Sequence, residues 1–124
     1  MTPLWILTAL LLKHFICDFP LQRRYQYSNK GIYGHPGGLL HAGIHALGTL
    51  LVFAFFAPLI VALKLALLDA LIHYHIDWLK NRCNKQCKFT ASSGDGFWIL
   101  LGLDQCAHQL TYVLLVWLWI SEAI

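Results

Sequence analysis

The sequence predicts an all-α fold, a four-helix transmembrane bundle forming one domain over residues 1–124. Three observations predict it. First, 58% of the residues are hydrophobic and only 12% are charged, against about 25% charged in an ordinary soluble domain. Second, there are four apolar stretches near the roughly 20 residues that a spanning helix needs, or fewer where the helix tilts or the bilayer thins. Third, most of the lysines and arginines fall in two polar connections between those stretches.

The first span is expected at about 4–19, where Pro20 stops or kinks the helix. Its start, Met1 to Ile16, has no basic leader and no small-residue cleavage site after it, so it reads as a retained helix rather than a signal peptide. No acylation motif is visible. The second span is expected at about 38–56 and the third at about 58–82. The connection at Ala57-Pro58 is so short that these two must form a tight hairpin. The fourth is expected at about 97–120.

The two polar connections, 20–37 and 80–96, hold or border Arg23, Arg24, Lys30, Lys80, Arg82, Lys85 and Lys88; only Lys13 and Lys64 lie elsewhere. Four spans put both connections on one side. The positive-inside rule makes that side cytoplasmic and places both termini outside. Trp5, Trp117 and Trp119 then suit the outer interface, and Tyr25, Tyr27, Tyr33, Trp78 and Trp98 the inner one.

Each span also carries polar residues at i, i+4, the spacing that puts two side chains on one helix face. The pairs are His14/Asp18, His41/His45, His73/Asp77 and Asp104/His108. The first and third lie late in helices running inward, the second and fourth early in helices running outward. All four therefore fall roughly 5–15 Å from the cytoplasmic ends, at about 1.5 Å rise per residue. Such groups are costly in a bilayer unless paired or bound. Inward-facing His and carboxylates on four helices are how bundle metal sites are built. Eight ligands exceed one tetrahedral zinc and suit two divalent ions, zinc, manganese or iron. The order of pairs and basic loops also suggests two repeated helical hairpins about an axis along the membrane normal.

The plainer reading is a hydrogen-bonded His–Asp network that only holds helices together, but interhelical polar bonds contribute only about 0.6–2 kcal/mol each. That is a small return for eight such groups. Asp69 lies one turn from His73 on the same face and is expected to orient it from behind, or else to carry a proton. Gln22, Lys80 and Gln105 border the cluster and could bind a substrate anion; the alternative is ordinary interfacial polarity. His75 faces away and is expected to pack or to meet headgroups. Cys83 and Cys87 form C-x3-C, weak spacing for zinc, and in a reducing cytoplasm they read as free thiols. The basic loops are accounted for by topology and anionic lipid, with no nucleic-acid partner needed.

These residues carry a resemblance. H-x3-D-F-x-L-Q, then a lysine, a His pair, H-x3-D-x-x-K and D-Q-x-x-H resemble a family of small bacterial and phage membrane proteins known only as a domain of unknown function. The matching positions are His14, Asp18, Phe19, Leu21, Gln22, Lys30, His41, His45, His73, Asp77, Lys80, Asp104, Gln105 and His108. More loosely, the chain is similar to inner-membrane proteins described as LexA-regulated metal-dependent hydrolases. The resemblance implies a bacterial inner-membrane location and a metal hydrolase.

The functional expectation is a hydrolase whose ions polarise a phosphoryl or acyl group and activate water. Asp18, Asp77 or Asp104 would serve as base where not a ligand. The depth of the cluster favours a lipid or lipid-linked substrate. The rivals are a metal-ion or proton transporter, a phage-encoded membrane effector with a structural polar core, and oxidative di-iron chemistry. Oligomerisation remains open.

Overall fold

The structure is a computed structural model that describes all 124 residues. It is entirely helical, with five helices in chain order: α1 (Thr2–Asp18), α2 (Arg24–Tyr27), α3 (Pro36–Phe53), α4 (Leu59–Cys87) and α5 (Asp95–Ile120). Of these, α3, α4 and α5 are long and apolar enough to cross a membrane. Helix α1 is 17 residues long.

Local chemistry sets the ends. A proline at the start of α1 and Pro36 at the start of α3 lie where a missing N–H costs nothing. His35 caps α3, its Nδ1 accepting from the Gly37 N–H at 3.0 Å. Helix α1 stops at Asp18: the Phe19 N–H still donates to the Phe15 carbonyl, but Pro20 has no N–H to continue the ladder. Helix α4 runs five residues beyond the expected limit of 82. Nothing in Cys83–Cys87 breaks a helix, and the end of an apolar span is not the end of a helix. It finishes at Lys88 in the left-handed conformation, φ 55°. The one-turn helix α2 lies inside what the sequence reads as loop. The α3–α4 hairpin closes through Phe56 and Ala57, whose N–H groups both donate to the Phe53 carbonyl.

Helices α1 and α4 each pack against both α3 and α5, while α2 packs on α3 alone. Burial along this arrangement is inverted relative to a soluble protein. Leu12, Phe15, Leu39, Leu40, Leu67, Leu103 and Leu110 point outward, while Lys13, Asp18, Asp69, His73, Asp77 and His108 are buried. An apolar exterior around a polar interior is the pattern a bilayer solvent selects.

The interior divides along its length. One half is an apolar core of Ile6, Leu10, Phe53, Ala62, Leu65, Tyr112, Leu115 and Val116. The other half, toward α2 and the connection between α4 and α5, holds the histidines and carboxylates.

Candidate metal centre

Asp18 and His14 come from the last turn of α1, His41 and His45 from the first turns of α3, His73 and Asp77 from the middle of α4, and Asp104 and His108 from α5. All eight are buried. The i, i+4 spacing within each helix delivers each pair to the same interior face. The rings of His45 and His73 stack at 3.7 Å between centroids, and His73 and His108 approach to 4.2 Å.

Two groups have ligand atoms within 4.8 Å of one another: Asp18, His41, His45 and His73 in the first, and His73, Asp77 and His108 in the second. His73 belongs to both. The shortest approaches are His41 Nε2 to Asp18 Oδ1 at 3.1 Å, His45 Nε2 to the same oxygen at 3.2 Å, His41 Nε2 to Asp77 Oδ2 at 3.2 Å and His73 Nε2 to Asp77 Oδ2 at 3.3 Å.

These distances fit a hydrogen-bonded network and a ligand set alike, so the orientation of the atoms carries the difference. Asp18 Oδ1, His45 Nε2, both nitrogens of His73 and His108 Nε2 are buried without a hydrogen-bond partner, although several have a polar neighbour at hydrogen-bond distance. Their lone pairs are close but not aimed along donor–acceptor lines. Donor atoms about 2.0–2.1 Å from a tetrahedral ion lie about 3.3 Å from one another, the separation found here. His108 fits the role in a further respect. Its Nδ1 lies 2.8 Å from the Asp104 backbone carbonyl, to which it donates, leaving Nε2 as a bare acceptor facing inward. The donor set, neutral imidazole and carboxylate, suits zinc, manganese or iron.

His14 and Asp104 border these groups without joining them. His14 Nδ1 is 2.8 Å from the Tyr112 hydroxyl, and its Nε2 is 3.2 Å from both Asp18 Oδ2 and Gln105 Oε1. Asp104 Oδ2 accepts from Gln105 at 3.2 Å, while Oδ1 has no hydrogen-bond partner. Gln22 donates to the Asp18 backbone carbonyl, and Asn81 likewise to that of Asp77. Lys80 is half-buried and makes no ion pair.

One expectation is corrected. Asp69 does not bond His73; its Oδ2 accepts from Lys13 at 2.9 Å and from the Thr49 hydroxyl. One turn of helix separates Asp69 from His73 in sequence, but the Lys13 ammonium, reaching across the bundle from α1, outcompetes a neutral ring for the carboxylate. Lys13 Nζ also lies 3.5 Å from His45 Nδ1 and 4.7 Å from the centre of the Tyr112 ring.

Lys13, Thr49 and Tyr112 are the residues the sequence reading missed. A lysine and an aspartate at similar depth in two apolar spans were the available signal, because each needs a partner. Lys30, noted only as a loop cation and a motif position, is buried. It donates to Asp77 Oδ2 at 2.9 Å and lies 3.2 Å from His41 Nε2. His75 lies outside the cluster, its Nε2 3.3 Å from the Tyr33 hydroxyl. All four cysteines are unpaired.

Fold and site together define an all-helical protein, with three helices long and apolar enough to cross a membrane, built around a buried His/Asp/Lys cluster. The chain belongs to the family described as protein of unknown function (DUF3307), whose model matches residues 6–124. No curated protein and no solved structure matches it.

Proposed function

We propose that the cluster is a metal centre and that the protein is a membrane-embedded, metal-dependent hydrolase acting on a lipid or lipid-linked substrate. One observation carries this reading: buried, unpartnered ligand atoms from four helices gather at the spacing of a coordination shell. The two groups offer six candidate ligands: Asp18, His41, His45, His73, Asp77 and His108. A bound divalent ion would supply Lewis acidity toward a phosphoryl or acyl oxygen.

The chain's own groups supply the rest. Asp104, outside both ligand groups and with Oδ1 free, is placed to accept a proton as general base. Gln22, Gln105 and Lys80 border Asp18 and Asp104 and would bind an anionic headgroup. The slight exposure of His14, Asp18 and Asp104, against none at His45 and His73, supports access from the side of α1 and α5. The apolar core closes the other end, which speaks against a translocation path and for a site served from one side.

In this reading α1 is a fourth span. At 17 residues it measures about 26 Å, close to the hydrocarbon thickness of about 30 Å. The two hairpins, α1–α3 and α4–α5, are the repeated units. The basic connections face the cytoplasm, the termini face the periplasm of a bacterial inner membrane, and α2 lies at the inner interface.

Metal content of purified protein tests the proposal. Wild type should carry at least about one ion per chain, His73→Ala should lose it, and a chelator should lower the melting temperature in detergent, because binding energy is folding energy here. Metal-free wild type with a melting curve indifferent to chelator would overturn it.

A further inference from the structure

We infer that Lys30 is a tethered cation that takes the place of a second metal ion, so that the wild-type centre holds one divalent ion. This rests on the metal-centre reading above. The expectation of two ions counted three carboxylates and no ammonium group. The folded interior holds four carboxylates, Asp18, Asp69, Asp77 and Asp104, and two ammonium groups, Lys13 and Lys30.

Each ammonium group neutralises one carboxylate of α4. Lys13 pairs with Asp69 and Lys30 with Asp77, both at 2.9 Å, with all four side chains at most 9% exposed. With ligating imidazoles neutral, the unpaired charge left is that of Asp18 and Asp104, which one dication balances. A second would leave uncompensated positive charge in a medium that solvates it poorly.

The geometry agrees with the charge. The second ligand group needs Asp77, and Lys30 donates to the Asp77 oxygen that lies 3.3 Å from His73 Nε2. The ammonium group takes one lone pair of that oxygen, and its charge repels a divalent ion placed beside it. The first group contains no atom of Asp77; Lys30 Nζ does lie 3.2 Å from His41 Nε2 there, which leaves Asp18, His45 and His73 as the ligands that Lys30 does not touch.

The chain is shaped to deliver this ammonium. Lys30 follows α2, its N–H donating to the Gln26 carbonyl, and Gln26 is buried. The approach of this turn to α3 is so close that a Cβ on Gly37 would lie 2.6 Å from the Tyr25 carbonyl oxygen, and one on Gly38 would lie 3.4 Å from Lys30 Cα. Only glycine leaves room at Gly37 for the turn to seat.

The test is zinc stoichiometry by elemental analysis and calorimetric titration, on chelated and reloaded protein in detergent. Wild type should bind one ion, Lys30→Met two, and Lys30→Arg, which keeps the charge, one. Wild type binding two ions overturns the inference and leaves the metal centre standing, and this arm does not depend on any variant folding. Lys30→Met binding one ion while folded also overturns it. Wild type binding none removes the metal centre and the inference together.

Discussion

The Lys13–Asp69 pair offers a quantitative handle on the interior. Its two side chains are 6% and 1% exposed, with Nζ 2.9 Å from Oδ2. A surface pair would contribute about 0–1 kcal/mol, but neither group here can regain water when the other is removed. Lys13→Met leaves Asp69 with the Thr49 hydroxyl alone, one oxygen already being without a partner. Breaking a buried pair from one side costs about 3–5 kcal/mol. The lower end is expected, because a denatured state held in detergent finds alternative partners. Asp69→Asn strands the ammonium instead, cushioned by the Tyr112 ring, and should cost about 2–3 kcal/mol by the same reasoning. The double variant removes both charges and should recover about 2 kcal/mol of the summed losses, a coupling within the range for contacting residues. Unfolding in mixed micelles titrated with an anionic detergent, followed by helical circular dichroism, measures all four proteins. Additive single losses, or a Lys13→Met cost below about 1 kcal/mol, would refute a desolvated pair and place Lys13 in contact with water.

Two further outcomes follow from particular residues. Cys87 is exposed near the end of α4, so in intact cells it should resist a membrane-impermeant thiol reagent while a cysteine introduced at Thr2 reacts; the opposite labelling would invert the topology and move the site to the periplasmic side. Gly37→Ala should destabilise by about 1–3 kcal/mol, the usual range for overpacking, because the clash is with backbone at Tyr25 rather than with a side chain that can turn away. An unchanged melting temperature would show that α2 does not seat on α3 as described.

The helices were legible because their signals are local. Apolar stretches, Pro20 and the Ala57-Pro58 turn placed α1, α3, α4 and α5 to within a few residues, except where α4 runs on to Cys87. That overrun had no sequence signal strong enough to mark it, since Lys85 and Gln86 are as compatible with a helix as with a loop. Helix α2 was illegible for the opposite reason. A single turn such as Arg24–Tyr27 is unstable alone, and it persists through the buried Gln26 and its contact with α3, neither of which periodicity encodes.

The site was legible in its histidines and less so in its cations. Each His/Asp pair sits on one helix, so i, i+4 spacing reveals the shared face before any tertiary contact is known. Lys13 and Lys30 are tied to their partners across 56 and 47 residues of sequence, and no spacing rule reaches that far. What could have reached it is electroneutrality. Four of the chain's six acidic residues lie inside its helices with the histidines, and a low-dielectric interior does not leave such charge unbalanced. Metal can balance it, and so can lysine. The nearest lysine in each direction, one inside the first span and one in the first basic loop, was therefore as strong a candidate for the cluster as any ion. Counting both gives a mixed cluster, in which Lys13 and Lys30 hold α4's carboxylates and the charge of Asp18 and Asp104 is what the proposed ion would balance.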